Sequence, residues 1–234
     1  MTGSPVYFFI LIGMIVLSGF LWTRKFRSRE GGKDLFVIYL GGLIGAFAGA
    51  KVVFLLAEGW ASIGRETMWL ELATGKTILG ALLGGYAGVE MVKKRIGYHK
   101  PTGDWFAIVV PLSIAAGRIG CLHHGCCLGS ECAPDAWYAV SDAAGIARWP
   151  APVAELLFNL LCVAVFVPLA KAKKLPGQHF HLYLIGYGVF RFAHEFVRAT
   201  PRIGDFVTGY QIAALAVLAL GIIGFVKRQG VEIS

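Results

Sequence analysis

Between Arg118 and Cys127 the chain gathers a permanent cation, three of its five cysteines and two histidines: Arg118, Cys121, His123, His124, Cys126 and Cys127. The preceding run, residues 108–116, is apolar, so the group stands at the end of a stretch that reads as a membrane helix. An arginine there is costly unless it lines a polar cavity or meets an anion, which marks a functional site. The plainer alternative is a positive-inside anchor among small helix-packing residues. The Cys-x-His-His-x-Cys-Cys spacing leaves four readings open for the thiols. They could ligate zinc or copper, although all lie in one loop and adjacent cysteines strain a common tetrahedral site. They could form a disulfide, with Cys132 as partner of Cys126 or Cys127. One could be a reactive thiolate, its proton loss favoured by Arg118 and a nearby histidine. Or they could be small packing residues, as Cys162 is in mid-span.

A second set lies downstream. Tyr187, Arg191, Glu195 and Arg198 follow i, i+4, i+8, i+11 spacing, which on a helix puts them on one face with Glu195 in reach of either arginine. Such a stripe cannot face lipid, and neither can Glu155 in the span before it. An ion-pair ladder holding a bundle together is one reading. The sharper one is a site for an anionic headgroup. Several arginines with only partial carboxylate compensation supply paired hydrogen bonds and net positive charge to a phosphate. Lys51 is expected to snorkel and Glu90 to sit near a helix end, both in structural roles.

These residues need helices to position them, and the composition supplies membrane helices. The chain has 234 residues, 56% hydrophobic and 15% charged, with 31 glycines. That is far from the usual balance of a soluble domain. Seven apolar runs, at residues 5–22, 35–57, 77–92, 105–121, 151–170, 180–198 and 206–226, are long enough or nearly so to cross a bilayer. The predicted fold class is an all-α polytopic membrane protein with about seven transmembrane helices. Every second connection is basic: Arg24 to Lys33, Lys93 to Lys100, Lys171 to Lys174, and Lys227 with Arg228. By the positive-inside rule the N-terminus is then outside and the C-terminus cytoplasmic. The formal charge of +8 follows this topological pattern and gives no sign of a nucleic-acid partner. The first run is long for a signal-peptide core and is read as a retained span. One membrane domain, residues 1–234, is expected, with outer-face loops 58–76 and 122–150 beside the site. The first of these, with Trp60 and Trp69, reads as an amphipathic segment on the leaflet.

Several separated motifs, in order, resemble prolipoprotein diacylglyceryl transferase. They are Gly117-Arg118-Ile119-Gly120 followed by Gly125, Arg148-Trp149-Pro150 through Glu155, Tyr187-Gly188-Val189-Phe190-Arg191-Phe192 with Glu195 and Arg198, and Thr208-Gly209-Tyr210-Gln211. The resemblance implies an enzyme of the bacterial inner membrane, with phosphatidylglycerol or a similar anionic lipid as donor. It would move the diacylglyceryl group onto the thiol of a lipobox cysteine and release glycerol phosphate. Arg118 and Arg191 would then hold the phosphate and stabilise the leaving group, Tyr187 and Glu195 would orient them, and Arg198 and Glu155 would help shape the headgroup pocket. No cofactor or metal is implied, because cleaving carbon from a phosphate oxygen needs leaving-group stabilisation above all.

The chain also departs from the family pattern. The third span reads Ile78-Leu79-Gly80-Ala81-Leu82-Leu83-Gly84, with Leu79 where the family's histidine would stand, and leucine moves no proton. Cys121 replaces an asparagine and Cys126 a glutamate, in a Gly-Cys-Cys-x-Gly pattern that ends at Gly129. His123 or His124 is the expected substitute base, with Cys121 and His123 placed at the substrate and His124, Cys126 and Cys127 in catalysis. Two alternatives remain. One is a related enzyme that uses its own Cys121, Cys126 or Cys127 thiols on a different acceptor. The other is a membrane protein that only binds a lipid or solute.

Overall fold

The structure is a computed structural model and describes residues 32–204 and 206–229, together with Ile12, Gly13, Val16, Gly19 and Phe20. Most of the expected first span, residues 5–22, therefore lies outside the described residues. Helix α1 runs Gly32–Ala57, a 3-10 turn Gly59–Ser62, α2 Met68–Thr74, α3 Ile78–Ile96 and α4 Gly103–His124. A hairpin of β1 (Val140–Ser141) and β2 (Ala147–Arg148) precedes α5, Ala151–Lys171. Helix α6 spans His179–His194 and continues as a 3-10 turn, Glu195–Val197. A second hairpin, β3 (Arg202–Ile203) with β4 (Val207–Thr208), leads into α7, Gly209–Gln229. Four of these helices, α1, α4, α5 and α7, are long and apolar enough to cross a membrane.

Helix α3 is not among them, because its last two turns carry Glu90, Lys93, Lys94 and Arg95; its apolar part is rich in glycine, and the glycines are what it packs with. Gly41, Gly45 and Gly49 on α1 face Gly88, Gly84 and Gly80 on α3 at four-residue spacing, backbone against backbone. A Cβ on Gly45 would lie 2.3 Å from the Gly84 carbonyl oxygen, so no other residue permits this approach. Helix α6 is also short. Its 16 residues rise roughly 24 Å, less than a hydrocarbon core of about 30 Å. The predicted span to residue 198 is thus corrected: the helix stops at His194, and Arg198 is extended with φ −97° and ψ 147°. The non-helical backbone that follows is hydrogen-bonded to a loop distant in sequence. Ser130 N–H donates to the Val197 carbonyl at 2.9 Å, and Gly129 and Arg198 form an isolated bridge.

Helices α6 and α7 pack closely, as do α4 and α5, and Leu79, Tyr183, Leu184, Tyr187 and Val217 are among the most buried residues of the main core. Tyrosines one turn apart on α6 reach polar groups one turn apart on α5. The Tyr183 hydroxyl donates to Asn159 Oδ1 at 2.9 Å, and the Tyr187 hydroxyl donates to Glu155 Oε1 at 2.5 Å. At the other end of the bundle, Asp104 accepts from the N–H groups of Gly177 and His179 and ties the start of α4 to the start of α6. The Lys51 ammonium donates to the Leu72 and Gly75 carbonyls and lies 5.7 Å from the Phe54 ring centroid, which anchors the α2 segment to α1. Glu90 pairs with Lys93 at 3.1 Å and with Arg228 at 3.7 Å, a structural role as expected. The expected amphipathic segment is the 3-10 turn plus α2, with Trp69 76% exposed.

Candidate active site

Every residue of the two chemical sets lies at the end of the bundle where α4 and α6 finish and α5 and α7 begin. Arg118, on the last two turns of α4, pairs with the fully buried Glu155 on the first turns of α5, Nη2 to Oε2 2.6 Å. Glu155 thus takes a guanidinium on one oxygen and the Tyr187 hydroxyl on the other. Glu195, also buried, sits between two arginines as its spacing predicts, 2.5 Å from Arg191 Nη1 and 3.8 Å from Arg198 Nε. The Thr200 hydroxyl donates to its other oxygen. Arg191 lies with Cζ 5.9 Å from the Tyr210 ring centroid, and the Tyr210 hydroxyl donates to Glu58 beyond the end of α1.

Three guanidinium groups here meet two carboxylates. The surplus is visible atom by atom: Arg118 Nε, Arg198 Nε and Nη1, and His194 Nδ1 are buried without a hydrogen-bond acceptor. Buried donors left unpaired are costly, and an anion with several acceptor oxygens would satisfy them.

The cysteine loop closes one side. Gly125, with φ 66°, ends α4; its N–H donates to the Leu122 carbonyl and that of Cys126 to the Cys121 carbonyl, a Schellman-type turn. Cys127 is also left-handed, with φ 65°, which is uncommon for a residue with a side chain. The expected conflict between adjacent cysteines is thereby resolved, and the Cys126 and Cys127 sulfurs lie 3.6 Å apart. With Cys121 they form a group whose Sγ atoms are all within 4.8 Å of one another. Arg118 Nη1 donates to Cys121 Sγ at 3.6 Å, which joins the thiols to the arginine cluster. The Cys127 thiol is held well below the usual range, first by hydrogen bonds with Cys121 and Cys126 and then by Arg118 and Arg198, while the same bonds push Cys126 up. Gly129 ends the loop because a Cβ there would lie 2.4 Å from the Val197 carbonyl oxygen.

All five cysteines are free, so Cys132 pairs with neither Cys126 nor Cys127. Cys132 N–H instead donates to the Ala147 carbonyl, and Gly129 N–H to that of Trp149, which hangs the loop on the β1–β2 hairpin. That hairpin is clamped by Arg148, paired with Asp142 at 2.5 Å and Glu131 at 3.4 Å. The Asp142 carboxyl is held below its ordinary value by Arg148 and by the Ile146 N–H.

His123 and His124 are exposed on the last turn of α4, and among the described residues neither hydrogen-bonds to the buried cluster. The histidine that does lie among the arginines is His194. It is buried, and its Nε2 accepts the Trp149 indole N–H at 3.1 Å. Sequence reasoning missed it, although position 194 continues the 187, 191, 198 stripe one turn after Arg191. A cleft lined by Glu90, Lys93, Lys94, Tyr98, His99 and Arg228 lies at the opposite end of the bundle, beside the basic connections, and shares no residue with this site.

Comparison with known proteins follows the same lines. The family model described as prolipoprotein diacylglyceryl transferase matches residues 6–227. The phosphatidylglycerol–prolipoprotein diacylglyceryl transferase of Dehalococcoides mccartyi (strain ATCC BAA-2266) is 33% identical over 232 residues, which cover 93% of this chain and 86% of that protein. Proteins of the same name from Chromohalobacter salexigens and Clostridium tetani are 30% and 25% identical. They cover 93% and 95% of this chain, and 86% and 90% of their own lengths.

Proposed function

Because the chain belongs to the prolipoprotein diacylglyceryl transferase family, we propose that it transfers the diacylglyceryl group of phosphatidylglycerol to the cysteine thiol of a prolipoprotein. The observation that carries this reading is the surplus of buried donors, on Arg118, Arg198 and His194, around a site that already holds two carboxylates. A phosphodiester supplies the missing acceptors. As the glyceryl carbon–oxygen bond breaks, negative charge grows on the phosphate oxygen that leaves, and preorganised donors stabilise that charge more than they stabilise the bound lipid. Arg118 and Arg191 serve as the clamp, Glu155, Tyr187 and Glu195 hold them in place, and Arg198 completes the pocket. Cys121, Cys126 and Cys127 line the side from which the acceptor thiol approaches, and exposed His123 and His124 stand at its entrance to pass the released proton to water.

In this reading the chain spans the bacterial inner membrane about seven times, with the N-terminus outside. The basic ends of α3, α5 and α7 lie on the cytoplasmic side and the site near the outer leaflet, supported by the placement of Lys93, Lys94, Arg95, Lys171, Lys227 and Arg228. The test is stoichiometric. Reconstituted in phosphatidylglycerol vesicles with a lipobox peptide, the protein should release one glycerol phosphate for each thiol consumed. Release of glycerol phosphate without thiol loss would mean a hydrolase and overturn the transfer reading.

A further inference from the structure

Forming a thioether requires the acceptor thiol to give up its proton, because the thiolate is the nucleophile and an ordinary cysteine has a pKa of about 8.5. The bases in the cluster are already committed. Glu155 is bound by Arg118 and Tyr187, Glu195 by Arg191 and Thr200, and His194 Nε2 by the Trp149 N–H. The third span contributes only buried Leu79. What the site has instead is three thiols whose Sγ atoms lie within 4.8 Å of one another, two of them 3.6 Å apart. A zinc–sulfur distance of about 2.3 Å places the sulfurs of a tetrahedral site roughly 3.8 Å apart, within that spread. The left-handed backbone of Cys127 and the glycine-dependent turn at Gly125 shape the loop around this arrangement.

We propose that Cys121, Cys126 and Cys127 bind a zinc ion as three thiolates, and that its fourth position takes the acceptor thiol of the transfer reaction. The inference rests on the transferase reading above. Three protein ligands and one open position are the pattern of a catalytic zinc site, and a thiol that coordinates zinc is deprotonated outright. The step balances without a redox partner. The acceptor R–SH releases its proton to water on binding, and its sulfur attacks the glyceryl carbon that carries the phosphate. The carbon–sulfur bond forms as the carbon–oxygen bond breaks, and the electron pair leaves on the phosphate oxygen of glycerol phosphate. The neutral thioether, a weaker ligand than a thiolate, then leaves the metal. Zinc with three thiolates carries one negative charge and with the acceptor two. Arg118, whose Nη1 donates to Cys121 Sγ, supplies both counter-charge and an outer hydrogen bond.

The test uses the full-length protein in phosphatidylglycerol nanodiscs, stripped of metal and reloaded with cobalt(II) as a spectroscopic probe. The expected result is a thiolate-to-cobalt charge-transfer band with the intense visible bands of four-coordinate cobalt, displaced by zinc. Adding the lipobox peptide should shift the visible bands, whereas its serine analogue should not. Cys121→Ser, Cys126→Ser and Cys127→Ser should each weaken cobalt binding by more than about 100-fold, since even outer-shell partners account for about 10–100-fold. Cys162→Ala should keep the band. Loss of the band in a Cys→Ser variant counts only if its helical circular dichroism is retained. No band in the folded wild-type protein, or a band indifferent to the thiol peptide, overturns the proposal. Full transfer by chelated, metal-free protein also overturns it while leaving the transferase reading intact. A band that shifts with peptide in a protein that forms no thioether supports the metal site and removes the transferase reading.

Discussion

The Arg118 guanidinium and the Glu155 carboxylate lie 2.6 Å apart across α4 and α5, with none of the Glu155 side chain exposed. Removing one member of such a pair leaves the other charge buried and unbalanced, which costs about 3–5 kcal/mol. Glu155→Gln is therefore expected to lower stability by that order. Tyr187→Phe removes only a hydrogen bond to a charged acceptor and should cost about 1.5–3 kcal/mol. Denaturant unfolding in detergent, followed by tryptophan fluorescence, ranks the two. A Glu155→Gln variant as stable as Tyr187→Phe would mean that the pair does not hold α4 to α5.

Arg191 must serve Glu195 and, in the proposed reaction, a phosphate, with its guanidinium also near the Tyr210 ring. Lysine offers a single point charge and no planar fork. Arg191→Lys is expected to lower kcat by about 10²- to 10³-fold, the order found for loss of one donor to a developing oxyanion. Steady-state transfer kinetics separate this from a KM effect. A change confined to KM would mean that Arg191 binds the lipid equally in ground and transition states.

The Trp149 indole can only donate, so at 3.1 Å it assigns His194 Nε2 as acceptor and puts the proton of the neutral ring on Nδ1. Nitrogen-15 NMR of histidine-labelled protein should show His194 Nε2 unprotonated, and Trp149→Phe should release that tautomer preference. A protonated Nε2 in the wild type would break the assignment.

Asp142 accepts from Arg148 and from the Ala144 and Ile146 N–H groups, and its carboxyl is held below the ordinary value of about 3.9. The ionised form is thus the one that favours the folded hairpin. Its contribution is full above that ordinary value and fades as pH falls through the lower folded value. Protection of the Ala144 and Ile146 amides, relative to their intrinsic exchange rates at each pH, should hold down to the ordinary carboxylate range and fall below it, whereas Asp142→Asn should show the weak protection already at neutral pH. Unchanged exchange in Asp142→Asn would remove the carboxylate from this role.

The helices were legible in the sequence wherever an apolar run was bounded by charge: residues 35–57, 105–121 and 151–170 correspond to α1, α4 and α5 within a few residues. Spacing alone placed Glu195 between Arg191 and Arg198, because local geometry decides such contacts. The end of α6 at His194 was not legible, since it is set by the Gly129–Arg198 bridge and the Ser130–Val197 hydrogen bond from a loop more than sixty residues earlier. The Arg118–Glu155 pair and the carbonyls that hold Lys51 are likewise tertiary, and no periodicity encodes them. Convergence of Cys126 and Cys127 was obscured for a different reason. It accompanies a left-handed residue that is not glycine, which propensity disfavours.

The central claim is transfer from phosphatidylglycerol to a thiol. Purified protein, isotopically labelled phosphatidylglycerol and a lipobox peptide should be incubated together and both polypeptides read by mass spectrometry. The account predicts a peptide heavier by one diacylglyceryl group on its cysteine, with Cys121, Cys126 and Cys127 of the protein unmodified. An unmodified peptide, with the diacylglyceryl group on a protein cysteine or on nothing at all, would contradict it.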